Sequence, residues 1–232
     1  MKVLVINGSP KIGDKSSTFT ITEKFLEGLN NKVEHDITVL NVVEKNIAYC
    51  KGCLSCWIRQ DGHCVIQDDM NDILDMIKDS DMLVWSFPLY EYGVPGPLKT
   101  LMDRLNPFLK VQMYAANNRV YHETVVDLPK KKNVILCGCG FPAFEANFAG
   151  LKIQMKNIFI NPTMVCICES GLVTLPDPKL ADIKEKLFSN LRKAGLEYNA
   201  KSFVSPENLA CIEAPMLPSE MYINLINSLV QK

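Results

Sequence analysis

At 232 residues, 47% of them hydrophobic, the chain is long enough to bury one sizeable core, and its composition is that of an ordinary soluble globular domain. A net charge of −1 excludes recruitment of nucleic acid or an anionic membrane by a strong field, and the one basic run, Lys130-Lys131-Lys132, reads as solvated loop. No apolar run approaches the roughly 20 residues of a membrane span. The opening MKVLVINGSP lacks the basic start and long apolar core of a signal peptide, so a cytoplasmic location with reduced thiols is expected.

In chain order, KVLVIN (2–7) is a continuous apolar run, as suits a strand buried on both faces. GSPKIGDKS then leads into a helical stretch, Ser17 to Asn30, with Phe19, Phe25, Leu26 and Leu29 on its apolar side. DITVLNV (36–42) predicts a second strand. After a cysteine-rich segment, DDMNDILDMIK (68–78) predicts a helix capped by its own aspartates. DMLVWSFP (81–88) is a third strand, and PGPLKTLMDRL (95–105) is a helix with proline near its start. KNVILCGCG (132–140) and PTMVCICESG (162–171) are the fourth and fifth strands. Helices are expected after them, over about 143–159 and over 178–195. Five strands, each followed by a helix, predict a flavodoxin-like doubly wound, five-stranded parallel α/β sheet; a barrel would need eight such units. Residues 1–196 would form this domain, with an insertion at 106–131. Residues 197–232 would be a C-terminal extension packing on the domain or on a partner subunit.

Ligands of such sheets bind at the carboxyl ends of the strands, where the strand order reverses. The first loop offers Gly8 for a tight turn, the hydroxyls of Ser9, Ser16, Ser17 and Thr18, and the free amides of a helix start. It is neither a P-loop nor a dinucleotide G-x-G-x-x-G, and it suits a single terminal phosphate. The loop after the third strand, SFPLYEYGVPG (86–96), offers Pro88, Tyr90 and Tyr92, with Gly93 for close backbone approach. Together with GCGFPAFEAN (138–147) it would line a site for a flat heteroaromatic ring.

These pieces in this order are GSPK…SST, then C-x-G-C-x-x-C…C…DDM, then SFPLYEYGVPGPLK..MDR. The combination resembles the NADPH-dependent FMN reductase and iron–sulfur flavoprotein group over roughly residues 1–170. The resemblance implies FMN with its phosphate at Ser9, Lys11, Ser16, Ser17 and Thr18. It places the ring against Pro88, Leu89, Tyr90, Glu91, Tyr92 and Gly93 and against Gly138, Cys139, Gly140 and Phe141. Where the group usually carries Asn before the Ser or Thr of its phosphate loop, this chain has Ser, so individual contacts can shift by a residue.

Four of nine cysteines fall at C-x2-C-x2-C-x7-C: Cys50, Cys53, Cys56 and Cys64. Such spacing suits a [4Fe–4S] cluster, and similar motifs in iron–sulfur flavoproteins carry one close to FMN. Zinc ranks lower, because its structural sites favour two separated C-x-x-C pairs. The alternative is that Cys50, Cys53 and Cys56 pack beneath a loop as small apolar groups. His63 reads as a loop residue and Lys99–Asp103 as a solvated i,i+4 ion pair. Tyr121 and His122 lie in the insertion and read as surface. Cys137, Cys139, Cys166 and Cys168 alternate along strands as core or pocket lining, with Cys139 able to touch the flavin. Cys211 carries no signal.

The expected function is an FMN-dependent NAD(P)H oxidoreductase passing electrons to a small acceptor such as a quinone or flavin. The flavin carries the chemistry and no side chain acts as nucleophile. The alternatives are an electron carrier serving a redox partner, and a sensory module that binds flavin as a ligand only. A low net charge argues against a carrier that docks by charge. No nucleic-acid or membrane partner is expected. A homodimer covering the flavin is.

Overall fold

The computed structural model describes residues 1–116 and 118–230. Its frame is a five-stranded parallel sheet of β1 (Lys2–Asn7), β2 (Asp36–Asn41), β3 (Met82–Pro88), β6 (Lys132–Gly138) and β7 (Thr163–Ile167), in the order β2-β1-β3-β6-β7. The three central strands are apolar on both faces because helices cover both. On one face Ile6, Leu83, Trp85, Phe87 and Ile135 pack against α3 (Met70–Asp79), α4 (Gly96–Asp103) and α5 (Ala149–Ile158). On the other, Val5, Val84 and Leu136 meet Phe25 and Leu29 of α1 (Ser17–Leu29) and Leu187 and Leu191 of α6 (Ala181–Lys201).

α1 and α6 cross at two glycines. A Cβ on Gly28 would lie 1.9 Å from the Arg192 carbonyl oxygen, and one on Gly195 would lie 2.0 Å from that of Phe25. Only bare backbone lets the helices approach this closely.

The structure departs from the sequence expectations in three places. Residues 106–131 contain a hairpin rather than a loop, β4 (Leu109–Ala116) paired antiparallel with β5 (Arg119–Thr124), with Tyr114 opposite Tyr121 and their rings stacked at 5.6 Å. Alternation along these strands was masked by polar residues on both faces, since the ribbon is largely solvated. The boundary at 196/197 falls inside α6, whose helical run continues to Lys201. The aspartates before α3 also act differently. Asp68 Oδ1 does accept the Met70 N–H, but Asp69 makes no cap and instead accepts the Asn46 N–H, pinning the incoming loop.

Beyond α6, α7 (Pro206–Glu213) and α8 (Ser219–Val230) return to the same domain. Ile212 is buried in the α1/α6 core, and Tyr222 is buried while its hydroxyl donates to the Gly140 carbonyl at 2.5 Å. Glu169, fully buried just past β7, accepts the backbone N–H groups of Met216 and Leu217, which ties the extension to the sheet edge.

Candidate functional site

Three loops meet at the carboxyl ends of β1, β3 and β6, and the strand order reverses between β1 and β3. In the first loop, the Asn7 side chain bonds Asn41 of β2 and accepts the Ser9 N–H. Ser16 caps α1 by accepting the Phe19 N–H at 3.1 Å, and its hydroxyl donates to Ser9 Oγ at 2.8 Å. Ser9, Ser16 and Thr18 are buried, Ser17 is half-buried and Lys11 is exposed. The amides of Ser17 and Thr18 are left without intrahelical acceptors at the positive end of the helix. Gly8 has a different role from the one expected. It does not take a left-handed turn; a Cβ there would come within 2.8 Å of Leu98.

The second loop is a tight turn in which Tyr90 and Gly93 exchange backbone hydrogen bonds. The left-handed residues are Glu91 and Tyr92, not Gly93. The Leu89 N–H donates to the Gly138 carbonyl, joining this turn to the third loop. Tyr90 and Tyr92 are 50% and 56% exposed, and the Tyr92 ring stacks against Phe141 with centroids 6.3 Å apart. Pro88 and Leu89 are half-buried, Gly138 and Cys139 are buried, and Gly140 and Phe141 are exposed. The edge therefore presents aromatic faces, backbone and hydroxyls together, as an open rim.

A further cavity lies elsewhere. A groove of about 1480 Å³ runs between the hairpin, the end of α4 and residues 156–164. It sits at the amino ends of β6 and β7, the end of the sheet where ligands of this fold do not bind. The edge is the better candidate because its loops carry the donors.

Cys50, Cys53, Cys56 and Cys64 line one small recess of about 30 Å³ with Arg104 and Pro107. Cys50 and Cys53 are exposed and Cys56 is half-buried, so the three expected to pack as apolar filler are not buried as such; the buried one is Cys64. Among the described residues, no three His, Cys, Asp or Glu side chains converge as ligands of one metal ion. The donor set suits a cluster in its chemistry and its common recess, whereas the volume and present spacing do not. Burial, and next the neighbouring Cys64, raise the Cys56 thiol; the Ser55 hydroxyl and N–H lower that of Cys53.

Arg104, 1% exposed, has a role that its place in the MDR motif does not signal. Its guanidinium grips both Asp68 oxygens at 2.8 and 3.0 Å, bonds the Ala48 carbonyl and lines the same recess as Cys64. It thereby holds both ends of the cysteine segment. Lys99 pairs with Asp103 at 2.6 Å, as their i,i+4 spacing suggests, and the loop residue His63 pairs with Asp75 at 3.0 Å. His122 packs on Trp57 at 4.8 Å, which docks the hairpin on α2 (Ser55–Arg59).

Residues 1–141 match the family model described as NADPH-dependent FMN reductase. The chain belongs to that family. This family member is 34% identical over 109 residues to an iron–sulfur flavoprotein of Archaeoglobus fulgidus, covering 47% of each chain. It is 35% identical over 109 residues to an iron–sulfur flavoprotein of Methanocaldococcus jannaschii, covering 46% of this chain and 53% of the other. The matches thus span about half the length of these curated relatives. Among solved structures it resembles an FMN-dependent NADH-azoreductase from Bacillus anthracis. That match has a TM-score of 0.59 and 17% identity, covering 84% of this chain and 97% of that one. An NAD(P)H:quinone oxidoreductase from Methanothermobacter marburgensis follows at TM-score 0.56 and 20% identity, over 84% and 94%. These likenesses show the flavodoxin-like fold. Among the described residues no helix is long and apolar enough to cross a membrane.

Proposed function

We propose that this reductase-family protein binds FMN at the carboxyl edge and transfers electrons from NAD(P)H to a small acceptor, such as a quinone, a flavin or an azo compound. One observation carries the reading: the joined Ser9 and Ser16 hydroxyls at the start of α1 stand at the β1/β3 switch, beside the exposed rings of Tyr90 and Tyr92. Ser9, Ser16, Ser17 and Thr18 would hold the phosphate, with Lys11 nearby as countercharge. Residues 88–93 and 138–141 would hold the ring. Bound FMN supplies one- and two-electron redox chemistry; the side chains bind it, orient it and limit water around it. Cytoplasmic, reducing surroundings suit nine free thiols. The relatives named for NADH, quinone and azo substrates support this acceptor class.

Acid release of the flavin followed by chromatography tests the cofactor. FMN is expected; recovery of FAD, or of no flavin after reconstitution, overturns the reading. Steady-state oxidation of NADPH and NADH with a quinone or ferricyanide separates an enzyme from a carrier or a sensory module, which would turn over neither.

The recess shared by four thiols favours a second reading, in which Cys50, Cys53, Cys56 and Cys64 ligate a [4Fe–4S] cluster after the recess widens. Relatives named iron–sulfur flavoproteins support it. Iron and acid-labile sulfide assays after anaerobic reconstitution decide it: about four irons and about four sulfides per chain, lost in Cys56→Ser, sustain the cluster, and absence of iron ends it.

A further inference from the structure

The cysteines along and just past β6 and β7 form a ladder whose thiol chemistry the proposed function does not use, although the backbone at Cys139 belongs to the proposed ring site. Cys137 lies directly opposite Cys166 in the parallel register. The pairing runs on past Gly138 and Ile167: the Cys139 N–H donates to the Ile167 carbonyl at 2.7 Å, and the Ser170 N–H donates to the Cys139 carbonyl at 2.9 Å. This seats Cys139 beside Cys168, and all four sulfurs join the core on one sheet face. Adjacent strands lie about 4.7–4.9 Å apart, inside the roughly 4.4–6.8 Å that a disulfide spans between Cα atoms.

The two rungs differ in chemistry. Cys137 and Cys166 are 0% and 2% exposed, and burial pushes the first thiol well up and the second to about 12. They stay protonated and inert. At the outer rung the Cys168 sulfur accepts from Asn147 Nδ2 at 3.5 Å, and Cys139 neighbours it one step past the paired strands. Those two neighbours pull the Cys168 thiol down, first among them Cys139, whose own thiol is raised. Cys168 is 9% exposed at the sheet edge, enough for a very small reagent.

We propose that Cys139 and Cys168 are a peroxide-oxidisable dithiol that closes to a reversible intramolecular disulfide. Cys168 thiolate attacks one oxygen of hydrogen peroxide, giving the sulfenic acid and hydroxide, which leaves as water with the proton Cys168 had shed. Cys139 sulfur then attacks the Cys168 sulfur; the S–S bond forms, the S–O bond breaks, and the departing hydroxide takes the Cys139 proton as a second water. Two thiols and one peroxide become one disulfide and two waters. The closed pair would stiffen residues 139–141, where the Phe141 N–H points at the Cys139 sulfur and Gly140 anchors Tyr222. The chemistry needs no bound flavin, so it stands or falls apart from the proposed function.

The test is to treat the purified full-length protein with a small molar excess of hydrogen peroxide, unfold it under alkylation and map peptides by mass spectrometry. The expected result is a linked Cys139–Cys168 peptide, short of two hydrogens and reopened by dithiothreitol, with Cys137 and Cys166 alkylated as free thiols. In Cys139→Ser, Cys168 should accumulate as a sulfenic acid captured by a cyclic dione; in Cys168→Ser, peroxide should leave Cys139 unmodified. The proposal is overturned if wild-type Cys139 and Cys168 stay free while exposed Cys50, Cys53 or Cys211 oxidise. Linkage of Cys168 to Cys166 would also overturn it. The wild-type map decides the matter even if both variants fail to fold.

Discussion

Two tyrosines and one buried ion pair decide most at the residue scale. Tyr90 and Tyr92 are half-exposed on a turn fixed by its own backbone bonds, so their rings are free to contact a ligand without reordering the loop. Replacing either by Ala is expected to weaken FMN binding by about 0.5–1.5 kcal/mol beyond lost area, whereas Lys99→Ala, on an exposed helix pair, should leave it nearly unchanged. Fluorescence titration reads the difference, and equal affinities would remove the ring from this turn. Arg104–Asp68 is a structural matter. Asp68→Ala leaves a guanidinium buried without its partner and should cost about 3–5 kcal/mol in urea unfolding. Burial alone would raise the Asp68 carboxyl, but the Arg104 bonds, the N–H groups of Ala48 and Met70 and the guanidinium charge together hold it below its ordinary 3.8. The unfolded chain therefore takes the proton first. The stabilisation is complete above about pH 4 and is lost as pH falls below that through the depressed folded value. An unfolding midpoint for Asp68→Asn that falls as steeply as wild type's below pH 4 would show that another carboxylate governs the acid limb.

Elements are held by contacts that admit no substitute. At the α1–α6 crossing, a methyl group on Gly28 or Gly195 would lie 1.9 or 2.0 Å from a backbone oxygen, far inside van der Waals contact, so the helices must part. Gly195→Ala is expected to destabilise the fold by about 1–3 kcal/mol or more, although the same change favours an isolated helix. A thermal melt shows which sign wins. The hairpin is held differently. It rests on Trp57, whose ring meets His122 and whose Nε1–H donates to the Asn106 carbonyl at 3.2 Å. Trp57→Ala should speed amide hydrogen exchange across 109–124 while leaving β1, β3 and β6 protected. Uniform protection in that variant would mean the hairpin needs no such support.

For the whole molecule the question is what covers the rim. The three binding loops form an open edge, and a site that transfers electrons benefits from being partly dry. The C-terminal extension is already committed to its own domain through Glu169, Tyr222 and Ile212. The hairpin instead displays Val111, Met113, Tyr114 and Val120, each 48–68% exposed on a two-stranded ribbon. We expect a homodimer that buries this ribbon, in keeping with two-fold pairing as the commonest closed assembly. Light scattering should give twice the chain mass, and Met113→Lys with Val120→Glu should shift it toward monomer. A monomer with full activity at micromolar concentration would overturn the expectation that a partner subunit covers the flavin.

The sequence by itself determined the sheet and its flanking helices, because buried parallel strands read as unbroken apolar runs and their helices as 3.6-residue stripes. It also located the three edge loops, since serines, tyrosines and glycines after strand ends have few other uses there. Local pattern could not show that Arg104 would turn inward to Asp68, that Gly28 would meet Gly195, or that residues 109–124 would pair as a ribbon resting on Trp57. Nor could it show that Cys139 and Cys168, 29 positions apart, would sit side by side past the paired strands. Each of these depends on two segments distant in the chain arriving at one place. Register and crossing angle set that meeting, and only the packed tertiary structure fixes them.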